Sequence, residues 1–402
     1  MASPATRYPW TARLGTVATF LSNGIVMGAW VGSLPRLREA AGLNDAGLGL
    51  LLLALSVGAV SSMPGVTLLV RRYGARRIAL LGGVLQGLAL PAMAVASGWP
   101  ALVAAGVALG MVMASMDVAM NTHASEVERR WGLPIMSSFH AAWSMGGLAG
   151  SAATGALAAA GWSLGGCLAA GGGAAMLLGL CGGVFGGRGM PAAVREAAAP
   201  ATSRFAPPRL RMPSRVMPSR VMRGACALAM VCFVTEGAVG DWGGIYLRTV
   251  LGASLATATG AYSAFAATMA VCRLFGDLIV RRLGPMRVVQ LGGLLAAAGI
   301  AAALMLPSVP GASLAFALVG VGLANVVPVI FSAAGRLGGA AGMATIASVG
   351  YGGLLAGPPV FGFVAQGLGL PVALASLAAG GLLVAALAPS VANDPRSRTA
   401  EA

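Results

Sequence analysis

A short basic run with a central glycine occurs twice in this chain, each time between two long uncharged blocks. Residues 69–77 read L-V-R-R-Y-G-A-R-R, and residues 279–287 read I-V-R-R-L-G-P-M-R, 210 positions later. Gly74 corresponds to Gly284, and a Gly-Gly pair follows both runs at the same distance. One offset of this length indicates a duplicated half rather than an array of short repeats. Two apolar halves that share a basic turn are typical of an internally repeated membrane protein.

The balance of apolar and charged residues places the chain in a membrane. Of its 402 residues, 57% are hydrophobic and only 9% are charged, and the mean hydropathy is +0.84. A soluble protein of this length needs more charge to cover its surface. The net charge of +15 does not indicate a nucleic-acid partner, because the arginines fall between apolar blocks rather than on one face of a soluble domain.

Twelve blocks have the length that a membrane-spanning helix requires, about 20 mostly apolar residues. The predicted spans are 14–34, 46–69, 77–97, 100–122, 136–160, 163–186, 223–247, 255–280, 286–306, 311–333, 341–366 and 370–389. The sequence therefore predicts an all-α membrane protein with twelve transmembrane helices in two pseudo-symmetric six-helix bundles. The predicted segments are an N-terminal tail (1–13), the first bundle (14–187), a linker (188–222), the second bundle (223–390) and a C-terminal tail (391–402).

Arginine placement predicts the orientation in the membrane. With the N-terminus in the cytoplasm, the cytoplasmic segments are the two basic runs, the linker and its edge, both tails and the connections that contain Arg129, Arg130 and Arg336, and together they hold all but four of the 26 basic residues. The four exceptions are Arg36, Arg38, Arg248 and Arg273. Because positive charge accumulates on the cytoplasmic side of a membrane protein, we expect both termini to be cytoplasmic.

Taken together, these features resemble the major facilitator superfamily over almost the whole chain, from residue 14 to residue 390. The superfamily has twelve spans in two halves, with R-R-x-G-x-x-R after spans two and eight. Further motifs resemble its rhizopine-permease-like branch of bacterial inner-membrane transporters. They are M-D-V-A-M-N (116–121), V-E-R-R-W-G-L-P-I-M-S-S-F-H (127–140), E-G-A-V-G-D-W (236–242) and G-Y-G-G-L-L-A-G-P-P (350–359).

The resemblance implies that the two basic turns form a cytoplasmic gate. The superfamily usually has Asp just before the first Arg of the motif, whereas this chain has Arg71 and Arg281 there. In the second half Asp277 precedes Arg281 by four residues and can supply a carboxylate one helical turn away. The predicted gate residues are Arg71, Arg72, Gly74, Arg77, Asp277, Arg281, Arg282 and Gly284.

Ionisable residues within predicted spans are rare here, and each costs a few kcal/mol to insert, so each is a candidate for function. Glu236 lies near the middle of span seven, followed by Asp241 and Trp242. Span one has a similar pattern, in which Asn23 matches Glu236 and Trp30 matches Trp242. The resemblance places spans one and seven on a central cavity. Glu236 then binds substrate or a proton, or it is a buried carboxyl that joins two helices.

Span four contributes Asp117 and Asn121, one helical turn apart, and span five contributes His140 at a similar depth. An Asp–His pair can relay a proton because imidazole titrates near neutral pH. The alternative is a static polar clamp between adjacent helices. Arg273 in span eight either pairs with Asp277 or contacts a substrate carboxylate.

The resulting hypothesis is a proton-coupled secondary transporter that works by alternating access around a site between spans one, four, seven and ten. The predicted substrate-binding residues are Asn23, Trp30, Asn121, Glu236, Trp242, Asn325 and Tyr351. The predicted proton-coupling residues are Asp117, His140, Glu236 and Asp241. By resemblance, the substrate is a small polar solute such as a polyol, sugar or amino-sugar, and the protein is a monomer.

Two alternatives stay open: an efflux antiporter for drugs or amphipathic compounds, which predicts a wide apolar cavity, and a membrane sensor or scaffold that does not transport. The expected partners are the substrate, protons and the lipid bilayer, without nucleic acid. No Walker A run, Ser/His/Asp set or metal cluster stands out. The sequence therefore predicts no enzyme activity, no catalytic residues, no metal and no cofactor.

Overall fold

The computed structural model of the chain describes residues 10–131, 135–185 and 220–389. Within these ranges the regular structure is helical: thirteen α-helices and one short 3-10 turn at Thr257–Thr259. The helices are α1 (Trp10–Ala40), α2 (Asp45–Tyr73), α3 (Ala75–Val95), α4 (Trp99–Trp131), α5 (Met136–Ala159), α6 (Leu164–Phe185), α7 (Arg220–Thr249), α8 (Gly260–Leu274), α9 (Gly276–Leu283), α10 (Pro285–Met305), α11 (Val309–Leu323), α12 (Val326–Leu368) and α13 (Leu370–Leu387). Residues 1–9 of the predicted N-terminal tail, the predicted C-terminal tail and most of the predicted linker lie outside the described residues, whereas residues 10–13 belong to α1.

Nine segments of the described chain are long and apolar enough to cross a membrane. This agrees with the all-α membrane fold and is consistent with the twelve predicted spans, of which three stay predictions. Predicted span eight is two helices, α8 and α9, separated at Phe275. Predicted span ten is likewise divided, because α11 ends at Leu323 and Asn325 caps the next helix.

The structure differs from the prediction where span ten should end and span eleven begin. The sequence predicts a turn around Arg336, but α12 continues from Val326 to Leu368 without an interruption. Between Pro328, in the first turn of the helix, and Pro358 the stretch is rich in Gly and Ala and has no proline. Without proline, nothing in the sequence prevents the backbone from keeping its i→i−4 hydrogen bonds.

The two basic runs form the same turn in both halves. Gly74 (φ 87°) separates α2 from α3, and Gly284 (φ 77°) separates α9 from α10. Each glycine N–H donates to the carbonyl oxygen four residues earlier, Val70 or Val280, at 2.9 Å. Only glycine adopts a positive φ without steric cost, so the duplicated glycine is needed for the turn itself.

The Gly-Gly pairs that follow these turns also pack alike. A Cβ added at Gly83 of α3 would lie 2.8 Å from the Cα of Gly179 in α6. One added at Gly293 of α10 would lie 2.5 Å from the carbonyl oxygen of Gly381 in α13. Both helix pairs therefore approach closely enough to exclude any side chain, a packing mode that small residues permit in membranes. The duplication is thus visible in the packing of each half.

The two halves meet closely at one end of the bundle, where α1 and α7 end and α2 begins. We call it the Glu39 end, and the opposite end, with residues 71–77 and 281–287, the arginine end. At the Glu39 end, Arg248 forms an ion pair with Glu39 across the halves. A Cβ at Gly49 of α2 would lie 2.9 Å from the carbonyl oxygen of Pro358 in α12. These contacts close the Glu39 end.

Candidate functional site

A cavity of about 300 Å³ lies between the two halves. It is lined by one face of each of six helices: α1, α2, α4 and α5 from the first half, and α7 and α12 from the second. On α7 the lining positions are adjacent pairs that recur every four residues, as expected for one face of a helix: Phe233, Val234, Gly237, Ala238, Asp241 and Trp242. Most of the lining is apolar, and a volume of this size suits a small ligand.

Five of the predicted site residues line this cavity: Asn23, Trp30, Asp117, Asp241 and Trp242. The expected contribution of span ten is replaced by that of α2 (from Leu52 to Met63) and of the second part of α12 (from Gly353 to Phe361). Asn121, His140, Glu236 and Asn325 lie outside the described lining. The side chain of Tyr351 lies outside the described part of the structure.

Aromatic side chains close the cavity toward the Glu39 end. Trp30 and Trp242 are almost completely buried, and the Trp242 ring lies 5.1 Å from that of Phe361. The indole N–H of Trp242 is buried without a hydrogen-bond partner among the described residues. A buried donor without a partner is costly, and no described residue accepts a hydrogen bond from this N–H.

Asn23 belongs to a hydrogen-bonded chain through four helices of the first half. Its Oδ1 accepts from the indole Nε1 of Trp143 at 2.9 Å, and its Nδ2 donates to Oε1 of Gln86 at 3.4 Å. Gln86 donates to Ser22 Oγ at 2.9 Å, and Ser22 donates to the Ala175 carbonyl oxygen at 2.7 Å. These bonds hold Asn23 in place on the cavity wall.

Asp117 pairs with the residue one turn further along α4. Asn121 Nδ2 donates to Asp117 Oδ1 at 3.1 Å and to the Asp117 carbonyl oxygen at 2.9 Å. The predicted partner His140 instead packs edge-on against Phe20, with ring centroids 5.4 Å apart. In this conformation Asp117 is therefore held by an amide and faces the cavity. The Asp117–His140 relay stays a prediction.

Asp241 and Glu236 are on the same helix but have different surroundings. Asp241 lines the cavity and has no hydrogen-bond or ion-pair partner within the described residues. Glu236 Oε1 lies 3.3 Å from Nη2 of Arg273. Arg273 also donates to the Ala324 carbonyl oxygen at 3.3 Å and to Ser144 Oγ at 3.4 Å. Arg273 thus joins α8 to α7, to the end of α11 and, across the two halves, to α5.

The predicted match between spans one and seven is out of register by one residue. Trp30 lies seven positions after Asn23, whereas Trp242 lies six positions after Glu236. One residue turns a helix by about 100°. When the two tryptophans are made equivalent, Thr235 takes the place of Asn23, and Glu236 points toward Arg273 instead of into the cavity.

Asn325 has a structural position. Its Nδ2 donates to the Cys272 carbonyl oxygen at 3.2 Å, and a Cβ at Gly276 would lie 2.3 Å from its Oδ1. Asn325 therefore joins the break between α11 and α12 to the break between α8 and α9. Both breaks divide predicted spans.

The predicted gate residues lie at the arginine end, around Gly74 and Gly284. The Arg72 guanidinium lies 5.5 Å from the Tyr73 ring centroid. Arg76, outside the predicted set, donates to the carbonyl oxygen of Gly183 near the end of α6 at 2.7 Å. Arg77, Arg281 and Arg282 are exposed, and the side chains of Arg71 and Asp277 lie outside the described residues.

The sequence matches a known protein-family model over most of its length. The family model described as Major Facilitator Superfamily matches residues 14–350. The chain belongs to the major facilitator superfamily. Membership makes it a multi-pass membrane transporter rather than an enzyme, and it implies a small-molecule substrate.

Relatives of similar length support the assignment. An MFS-type transporter of Yersinia pestis is 34% identical over 382 residues, covering 94% of this chain and 95% of the relative. The membrane protein MosC of Rhizobium meliloti is 31% identical, with 91% and 86% covered. The transporter y4wD of Sinorhizobium fredii is 32% identical, with 95% and 97% covered. The predicted resemblance to this part of the superfamily is confirmed.

Solved structures share the superfamily fold at low sequence identity. The nucleoside transporter NupG superposes with a TM-score of 0.73 at 13% identity, covering 96% of this chain and 99% of NupG. A bacterial homologue of the human lysosomal transporter Spinster, inward-facing and occupied, superposes with a TM-score of 0.63 at 16% identity, with 98% of both chains covered. These matches confirm the fold.

Sequence reasoning missed three contributors to this site. Gln86 is completely buried at the centre of the Asn23 network, and its signal was a lone amide within an uncharged block of α3. Phe233 and Phe361 line the cavity. Neither phenylalanine has a distinguishing sequence signal, because aromatic residues in spans usually serve packing.

Proposed function

We propose that this protein is a secondary active transporter that moves a small polar solute across the bacterial inner membrane by alternating access, coupled to protons. One observation supports this most: a cavity between the halves contains two carboxylates and is closed at the Glu39 end by contacts between the halves. Intramembrane carboxylates that face a cavity are functional by default. Transport around a site between two repeats requires only that the halves rock about it.

The contacts across the halves suggest which state this conformation represents. The Glu39–Arg248 ion pair and the contact of Gly49 with α12 lie at the Glu39 end, which arginine placement assigns to the outside. The conformation is then inward-facing. The basic turns at residues 71–77 and 281–287 would act in the opposite state, in which the arginine end closes.

For proton coupling, Asp241 and Asp117 are the best-placed groups, because both line the cavity. Glu236 already has Arg273 as its counter-ion, and it can take part only if that pair opens. We therefore assign Glu236 a place in the conformational cycle and assign the proton to Asp241 or Asp117.

The deciding experiment is proton flux in proteoliposomes, with a panel of polyols, sugars, amino-sugars, amino acids and cationic dyes. We expect one class of small polar solute to move protons in the unmodified protein and not in Asp241→Asn. If only dyes exchange for protons, the protein is an efflux antiporter, an alternative that the largely apolar lining favours. If no solute crosses the membrane in either direction, the transport proposal is wrong.

A second experiment tests the closure at the Glu39 end. Gly49→Leu should reduce flux strongly, because any side chain there would meet the backbone of α12. Gly65→Leu on the same helix is the matched control, since a Cβ there has nothing within 4 Å. Equal flux in both variants would contradict alternating access through this interface.

A further inference from the structure

We infer that the solute bound in this cavity is a small organic amine in its cationic form, whose ammonium group contacts Asp241 and the aromatic side chains beside it. This inference deepens the proposed transport function and rests on it for the identity of the site. It narrows the predicted range of solutes from neutral or amino compounds to amino compounds.

The first argument is the charge of the lining. Among the described residues that line the cavity, Asp117 and Asp241 are acidic, and there is no Arg, Lys or His. Arg273, the basic residue of α8, already contacts Glu236, Ser144 and the Ala324 carbonyl oxygen. The Arg273 guanidinium is therefore already paired, and the ionisable groups of the described lining are both acidic.

The second argument is the lack of a partner for Asp241. A carboxylate removed from water needs a proton, a cation or several hydrogen-bond donors to compensate for the lost hydration. Asp117 has the amide of Asn121 at 3.1 Å. Asp241 has no such donor within the described residues, so the compensating group must come from outside the protein. An ammonium group supplies both the charge and the donors.

The third argument is the set of aromatic rings in the lining. Trp242 follows Asp241 directly in sequence and its ring lies 5.1 Å from that of Phe361, and Trp30, Trp143 and Phe233 also line the cavity. Aromatic faces attract organic cations, and the attraction grows when water is excluded. A carboxylate combined with several indole rings suits an amine much better than it suits a neutral sugar or an anion.

The two carboxylates lie at different depths, which suggests a path for the cation. Asp241 precedes the end of α7 at Thr249 by eight residues, roughly 12 Å from the Glu39 end. Asp117 follows the start of α4 at Trp99 by eighteen residues, roughly 27 Å from the same end. An amine that enters from the arginine end meets Asp117 first and Asp241 last.

Binding to the detergent-purified protein tests the inference with matched ligands. Tryptophan fluorescence is a suitable signal, since Trp30, Trp143 and Trp242 line the cavity. The pairs are glucosamine against glucose, and ethanolamine against ethylene glycol, in which a hydroxyl replaces the ammonium group, at constant ionic strength. We expect at least ~10-fold tighter binding of one or both amines than of the neutral partner.

Two variants test whether the preference for the amine depends on Asp241. Asp241→Asn should remove the preference for the amine, whereas Asp45→Asn should keep it, because Asp45 pairs with Arg38 at the Glu39 end and lies outside the lining. If Asp241→Asn does not fold, the ligand pairs decide the question in the unmodified protein. Equal binding of amines and neutral partners, or binding of neither amine, overturns the inference.

Flux separates this inference from the transport proposal. Amine binding that depends on Asp241, without any flux in proteoliposomes, supports the amine site and contradicts transport. Flux of neutral sugars or polyols without a preference for amines supports transport and overturns the amine site.

Discussion

Two acidic residues on one helix have different surroundings. Glu236 and Asp241 are five residues apart on α7, which turns their side chains by about 140° relative to each other. Glu236 meets Arg273 at 3.3 Å, while Asp241 faces the cavity and has no partner within the described residues. The protein supplies a counter-ion for Glu236, whereas Asp241 has none within the described residues.

The comparison assigns the two regions different tasks. The Glu236 region joins α7, α8, the end of α11 and, through Ser144, the α5 helix of the other half. We expect it to affect stability and the balance between conformations. The Asp241 region contacts the cavity and its aromatic rings. We expect it to affect binding and transport with little effect on stability.

The largest effect should follow from Arg273→Met. The substitution leaves the partly buried Glu236 without its counter-ion and removes the contacts to Ser144 and Ala324. We expect a loss of about 3 kcal/mol in the free energy of unfolding, measured by thermal or denaturant unfolding in detergent. Glu236 would then resemble Asp241.

The double variant Arg273→Met with Glu236→Gln is the control for this prediction. Because it removes the unpaired charge as well as its partner, it should recover a large part of the lost stability. If the effects of the two substitutions on the free energy of unfolding simply add, the ion pair does not hold α7 and α8 together. The Glu236 and Asp241 regions would then not differ in the way we propose.

The next effect should be a loss of transport in Asp241→Asn. We expect flux to fall by about 100-fold, because an amide provides neither the charge for a cation nor a site for a proton. Thermal stability should stay the same or rise slightly, since an unpaired carboxylate is removed. Glu236→Gln should show the opposite pattern, with lower thermal stability and a smaller loss of flux. If the two variants lose flux and stability to the same extent, the two carboxylates do not have different tasks.

A smaller effect is expected from Asp117→Asn. Its partner Asn121 can still donate to an amide oxygen, so the local contact is kept while the charge is lost. We expect substrate affinity to weaken by about 10-fold, measured as the apparent affinity for transport, with unfolding unchanged. A complete loss of flux would instead place the essential proton or cation site at Asp117.

The smallest effect should come from Ser144→Ala, which removes one 3.4 Å bond from Arg273 and leaves the Glu236 pair intact. We expect a loss of about 0.5–1 kcal/mol in the free energy of unfolding. The control is Ser138→Ala on the same helix, which removes a hydrogen bond from the Ser138 hydroxyl to the Ile135 carbonyl oxygen. Comparing the two losses in stability shows whether the bond between the halves matters more than a local bond at the start of α5. A loss as large as that of Arg273→Met would mean that Ser144 is essential to the network.

Much of the fold could be predicted from local features of the chain. Apolar length predicts the helices, and Gly74 and Gly284 predict the two turns, because these features depend on residues that are close in sequence. The continuous α12 could not be predicted, since a Gly- and Ala-rich stretch permits both a turn and a helix. The break at Phe275 has no proline to mark it and coincides with the packing of Asn325 against Gly276.

The candidate site could be predicted only in part. The rarity of polar residues in apolar spans directed attention to Asn23, Asp117 and Asp241, which line the cavity, while their roles stay predictions. The same reasoning placed Glu236 beside Asn23, although one residue of register separates their faces. The residues of α2 and the aromatic side chains of α12 gave no signal, because apolar residues look the same whether they face lipid, another helix or a cavity.

The sequence by itself determined that this chain forms a helical membrane protein with a duplicated half and a basic glycine turn in each. Only the tertiary structure decided which intramembrane carboxylate has a counter-ion. Arg273 is 37 residues from Glu236 in sequence and 3.3 Å from it in space, and nothing local predicts that contact. The physical reason is that helix formation depends on neighbouring residues, whereas neutralisation of a buried charge depends on the rotation and packing of distant helices.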